Sequence, residues 1–85
     1  MNKPPLSQAF VKAARMLLDW DQQKLANATG LSISTVGRFE AGAGVHDETM
    51  YAMVKAFEEA GLIFLYSQDG SCVIGIRFQD PQQDG

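Results

Sequence analysis

The side chains of this sequence that could do covalent or metal chemistry are few and scattered. His46 is the only histidine and Cys72 the only cysteine. No second ligand stands at metal-binding spacing from His46, and no paired carboxylates lie near a plausible base. No glycine-rich loop leads a strand into a helix. The pattern points away from an enzyme and calls for no cofactor or metal. What is concentrated is hydrogen-bonding capacity. Gln22, Gln23 and Lys24 are followed closely by Ser32, Ser34, Thr35 and Arg38. The chemistry on offer is recognition rather than catalysis.

The elements that must position them read clearly. Leu25 to Glu40 is LANATGLSISTVGRFE. Asp21 is placed to N-cap a first helix, because its carboxylate can accept from a free backbone N–H. Gly30 stands where a helix C-terminus needs a left-handed residue. Leu31 returns the chain to the core, and Ser32 is a second N-cap. A second helix follows over Ile33 to Glu40. Val36 and Phe39, three apart, share one face, and Ser34, Thr35, Gly37 and Arg38 fall largely on the other.

Two short helices with this turn resemble the helix-turn-helix of the Cro/C1, or XRE-like, transcriptional regulators. The resemblance rests on Gln22, Leu25, Ala26, Gly30, Leu31, Ser32, Val36, Arg38 and Glu40 as spaced here, and it covers about residues 10–60. It implies that Leu25, Leu31 and Val36 are core positions and that Ala26 lets the helices touch. It implies a partly buried structural salt bridge between Arg15 and Glu40. It also implies that the second helix enters the major groove of double-stranded DNA. Carried onto this chain, Ile33, Ser34, Gly37 and Arg38 meet base edges, with Ser32 and Thr35 near phosphate or base. Gln22, Gln23 and Lys24 hold a phosphate. Arg38 is the candidate for a specific contact, since a guanidinium can donate twice to guanine.

Charge supports that polarity. The net charge is −3, unpromising for a DNA binder, but it is unevenly spread. Residues 1–44 hold five Lys/Arg against three Asp/Glu, whereas residues 45–85 hold two against seven. The motif half is basic and the remainder acidic. Few cations mean few phosphate contacts per chain, so two copies would have to cooperate. Length points to one domain. No apolar run reaches membrane-spanning length and no signal-peptide pattern opens the chain, which fits a reducing cytoplasm. Cys72, in an apolar strand-like run, is read as a buried thiol.

Around the motif, residues 1–5 form a flexible arm. A first helix runs from Leu6 or Ser7 to Leu18, with Phe10, Ala13, Ala14, Leu17 and Leu18 as its apolar face. Trp20 covers the helix junction. A glycine-rich link, residues 41–44, leads to a fourth helix over Asp47 to Ala60. His46 is its starting residue, and Met50, Met53, Val54 and Phe57 form its core stripe. The pattern then changes. Residues 62–66 and 72–78 are strand-like, and Asp69-Gly70 between them tolerates a tight hairpin turn. That turn pairs Tyr66 with Val73, Leu65 with Ile74, Phe64 with Gly75 and Ile63 with Ile76. Both faces of such a hairpin are apolar, and a small helical domain can hide only one. Leu62, Phe64, Tyr66 and Val73 are therefore assigned to homodimerisation, the alternative being that the hairpin caps the core. Residues 79–85 form a flexible tail.

The expectation is a mainly α fold: a four-helix repressor-like helix-turn-helix domain over residues 6–61, followed by a C-terminal β-hairpin over residues 62–78. The function expected is a sequence-specific DNA-binding regulator, a repressor that binds a palindromic operator as a homodimer. The alternative is an antitoxin-like interaction protein whose acidic C-terminal half binds a protein partner.

Overall fold

The structure, a computed structural model, describes residues 6–79. The arm expected over residues 1–5 and the tail beyond Gln79 lie outside the described residues. Four helices, α1 (Gln8–Leu17), α2 (Gln22–Thr29), α3 (Ile33–Glu40) and α4 (Asp47–Glu59), precede strands β1 (Leu62–Tyr66) and β2 (Val73–Phe78). The strands form one antiparallel hairpin, so the mainly helical architecture with a terminal hairpin is the one expected.

The helix starts follow the local chemistry. Ser7, Asp21 and Ser32 cap α1, α2 and α3, each accepting a backbone N–H three residues on. His46 starts α4 without a side-chain cap, and Asp47 and Glu48 supply the acidic first turn instead. Between α1 and α2 the chain turns on Asp19, which takes a left-handed φ of 58°. Aspartate accepts that conformation better than most residues, and the Trp20 N–H closes the turn on the Arg15 carbonyl at 2.8 Å.

All six elements contribute to one core. Phe57 of α4 is fully buried at its centre. Trp20 stacks on Phe57 with ring centroids 5.8 Å apart, and Phe64 of β1 meets it edge-on at 6.1 Å. The aromatic row ties the helix junction to the hairpin.

Three expectations are corrected. On α1, Val11 and Ala14 are the fully buried pair, Phe10 and Leu18 are partly covered, and Ala13 and Leu17 are exposed. Its apolar residues fill a broad arc around the helix, interrupted only by Gln8, Lys12 and Arg15, so their spacing did not single out one face. Cys72 is exposed, not buried, because the pairing begins at Val73 and leaves it in the connecting loop. The hairpin register differs too. Tyr66 pairs with Val73 as expected, but Leu65 then pairs with Gly75, Phe64 with Ile76, Ile63 with Arg77 and Leu62 with Phe78. A bulge at Ile74 absorbs one residue.

The loop leaves its flanking pair, Tyr66 with Val73, where expected, and the shift arises beyond it at the bulge. The loop's turn joins the Gly70 N–H to the Ser67 carbonyl at 2.8 Å, and Gly70 takes the left-handed conformation. The Asp69 carboxylate accepts from the Ser71 and Ser67 hydroxyls and the Ser71 N–H, which holds its pKa at about 2. The connection is longer than a two-residue turn on Asp69-Gly70. Leu62, Phe64 and Val73 are at most 5% exposed and sealed in the core of their own chain, and of the four residues assigned to dimerisation only Tyr66 is exposed. The inner side of the hairpin closes the core of its own chain.

The turn between α2 and α3 depends on Gly30, at φ 79° with open space where a Cβ would stand. Gly30→Ala therefore carries only the conformational cost, about 1–2 kcal/mol. Urea denaturation is expected to show that loss with an unchanged m-value.

Candidate nucleic-acid interface

Helices α2 and α3 are held at a fixed angle by contacts at both ends of their connection. Thr29 donates its hydroxyl to the Leu25 carbonyl at 2.8 Å and accepts the Leu31 N–H at 3.2 Å. Leu25 and Ala26 on α2, and Val36 and Phe39 on α3, are buried. The small side chain of Ala26 allows this close packing. With its inner face so committed, α3 turns Ile33, Ser34 and Arg38 to solvent.

The far end of α3 is locked by charge. The Arg15 guanidinium donates from Nε to Glu40 Oε2 at 2.6 Å and from Nη2 to Oε1 at 2.8 Å. Its third nitrogen, Nη1, donates to the Trp20 carbonyl at 3.0 Å. Gln22 Nε2 completes the cluster with a bond to Glu40 Oε1 at 3.1 Å. The pair links α1 to α3, with the start of α2 as third partner. The side chain of Glu40 is only 2% exposed and that of Arg15 16%. Burial works against the charge on Glu40. The hydrogen bonds from Arg15 and Gln22, with the charges of Arg15 and Lys12, outweigh it and hold the carboxyl below its ordinary value of 4.5.

A helix-turn-helix family model of the Cro/C1 type matches residues 11–60, more than half of the chain. The chain belongs to that family. No curated protein matches it. Membership makes it a DNA-binding regulator in general terms, in a regulatory family and not an enzyme family. Among the described residues, no helix is long and apolar enough to cross a membrane and no three acidic, histidine or cysteine side chains cluster as metal ligands.

Within this helix-turn-helix the residues singled out from the sequence divide into two sets. Gln22 turns its amide inward onto Glu40, and Ser32 spends its hydroxyl on the Thr35 N–H and hydroxyl. Both build the scaffold first. Gln23 bonds Asn27 at the surface. Lys24, Ile33, Ser34 and Arg38 are exposed, and the side chains of Lys24 and Arg38 have no hydrogen-bond or ion-pair partner among the described residues. Thr35 and Arg38 share a recess with Ala43, Gly44, Val45, His46 and Thr49.

The sequence reading missed Thr29 as the pin of the turn, the Trp20 carbonyl as a ligand of Arg15, and Thr49 as a neighbour of Arg38. Only Thr49 had a visible signal, its place in the first turn after a short link.

The pH dependence of stability follows from Glu40. A carboxyl whose pKa is lowered by folding contributes stability that is fully present above its unfolded value and is lost as pH falls through the folded one. Glu40→Gln leaves Arg15 without its counter-charge and is expected to cost about 3 kcal/mol at pH 7. The gap to the wild type should narrow below pH 4.5 as the native carboxyl protonates. Urea titrations at pH 7 and through the acid range measure both.

Proposed function

We propose that this chain is a sequence-specific repressor that binds a palindromic operator as a homodimer. The reading is supported by one observation: the exposed side of α3 gathers Ile33, Ser34 and Arg38, while Arg15, Gln22, Ser32 and Glu40 are bonded within the fold. In this reading α3 lies in the major groove. Arg38 donates both ends of its guanidinium to a guanine edge, and Ile33 covers a thymine methyl. Ser34 meets a neighbouring base edge. Lys24, Gln23, Ser32 and Thr35 meet the phosphate backbone, which fixes register without choosing sequence.

Gly37 strengthens the case. It is helical, and a Cβ added there would meet only Gln22 Oε1 at an ordinary 3.6 Å. A helix-interior glycine costs roughly 0.5–1 kcal/mol relative to alanine, and nothing inside the protein requires it. Close approach of the α3 backbone to a ligand accounts for it. The two-copy part rests on charge. With so few free cations on the motif, one copy gains little from counterion release, and two recognition helices about 34 Å apart would supply the rest.

Fluorescence anisotropy on the DNA upstream of the gene, against a scrambled duplex at two salt concentrations, tests the reading. Preferential binding with two chains per duplex is expected. Weak binding, equal for both duplexes and lost at higher salt, would sink it and leave a protein partner as the reading to pursue. In the same assay Arg38→Ala should lose about 1–3 kcal/mol and relax selectivity at one base position. Gly37→Ala should weaken operator binding while raising the stability of the free protein.

A further inference from the structure

We infer that Gln22 reads a base, its side-chain carbonyl oxygen accepting from the amino group of an adenine or a cytosine in the major groove. The inference rests on the reading of α3 as the recognition helix and adds a specificity-determining residue from α2. The family resemblance implies a different task for Gln22, holding a phosphate. The orientation of its amide is fixed by chemistry. Nε2 donates to Glu40 Oε1 at 3.1 Å. The Glu40 side chain is 2% exposed, and its carboxyl is held below the ordinary value. It is therefore ionised at neutral pH and can only accept. An amide turned the other way would set oxygen against oxygen inside the fold. The bond that spends Nε2 thereby directs Oε1 elsewhere.

That oxygen lies beside α3, 3.6 Å from where a Cβ on Gly37 would stand. Gly37 is one turn beyond Ile33 and Ser34 and directly precedes Arg38, so Oε1 sits along the side of α3 that those three side chains occupy. Among the described residues nothing donates to Oε1, and no side-chain oxygen or nitrogen is both buried and without a partner. Oε1 is an open acceptor beside the middle of the recognition helix.

A fixed acceptor selects its ligand. Phosphate oxygens are acceptors themselves and repel it. In the major groove adenine and cytosine present an amino donor, whereas guanine presents two acceptors and thymine an acceptor and a methyl group. Oε1 therefore favours adenine or cytosine at one position. The second Nε2 hydrogen, turned to the same base, would favour adenine through its N7 acceptor. Gly37 gains a use here, since a side chain at that place would stand against Oε1 and narrow the approach to it. Arg38 as donor and Gln22 as acceptor then read different bases.

A scan of modified operators tests this. Duplexes selected by the wild-type chain from a random pool define the half-site. Each adenine in it is then replaced by purine and each cytosine by 2-pyrimidinone, which lack the amino group. Anisotropy gives the affinities of the wild type and of Gln22→Met. At one position the change is expected to weaken the wild type by about fivefold. It should leave Gln22→Met, already weaker on the unmodified site, unaffected. That position differs from the one at which Arg38→Ala relaxes. Gln22→Lys keeps a donor for Glu40 but has no acceptor, and it should lose the same preference; circular dichroism checks each fold. A wild type indifferent to every amino-free base overturns the base contact and leaves the recognition helix standing. So does a loss in the folded variants that is equal on all sequences, the mark of a phosphate contact or a loosened Glu40. A wild type that selects no sequence from the pool overturns the recognition reading as well.

Discussion

The bidentate pair of Arg15 and Glu40 is the constraint on which the arrangement depends. A guanidinium and a carboxylate match through two parallel bonds only when their planes align. Both groups are largely out of water, so misalignment leaves a desolvated charge unpaired. The pair therefore acts chiefly as a geometric device. Removing two charges from water offsets much of their attraction, but any displacement of α3 relative to α1 is penalised steeply. The Trp20 carbonyl and the Gln22 amide occupy bonding sites that water would otherwise take. The three helices of the motif region meet there, and the outward direction of α3 follows.

Helix α3 needs that support. It has eight residues, too few to be helical alone in water, and Gly37 in its middle lowers its intrinsic preference further. Its order comes from the Ser32 cap at one end, the Glu40 lock at the other, and Val36 and Phe39 buried between them. The row from Trp20 through Phe57 to Phe64 carries the same core to the hairpin. Closing that core uses the inner hairpin side chains, which explains why they are spent within one chain.

The parts legible in the sequence are those set by local chemistry. Asp21, Ser32 and Gly30 each have one physical use at their positions, so the bounds of α3 and the turn before it follow directly. The Arg15–Glu40 pair, implied only by family resemblance, forms as implied. The parts not legible are those where the pattern is degenerate. Residues 10, 11, 13, 14, 16, 17 and 18 of the first helical segment are all apolar, and period alone does not choose among them. The hairpin poses the same difficulty with period two: with apolar residues on both faces, a one-residue slip has no cost visible in the sequence. The bulge at Ile74 decides the register, one residue past the Tyr66–Val73 pair that the loop leaves in place. The exposure of Cys72 follows from the same loop.

Net charge is a poor guide to what such a protein can bind, and the structure shows why. Glu58 and Glu59, at the far end of α4, are roughly 14 Å along the helix from Thr49, at 1.5 Å per residue. That exceeds the screening length of about 8 Å at physiological salt, so their repulsion reaches the Arg38 recess much weakened. Asp47 and Glu48 are different. They sit at the positive end of α4, beside the recess, where they satisfy the helix dipole that could otherwise attract a phosphate. The surface around α3 thus offers an anion few attractions beyond Arg38, Lys24 and backbone N–H groups. A recognition surface so sparing with cations gains little from DNA of the wrong sequence. In the function proposed above, discrimination comes from the fit of a few side chains to base edges, and that fit is only as good as the rigidity with which α3 is held.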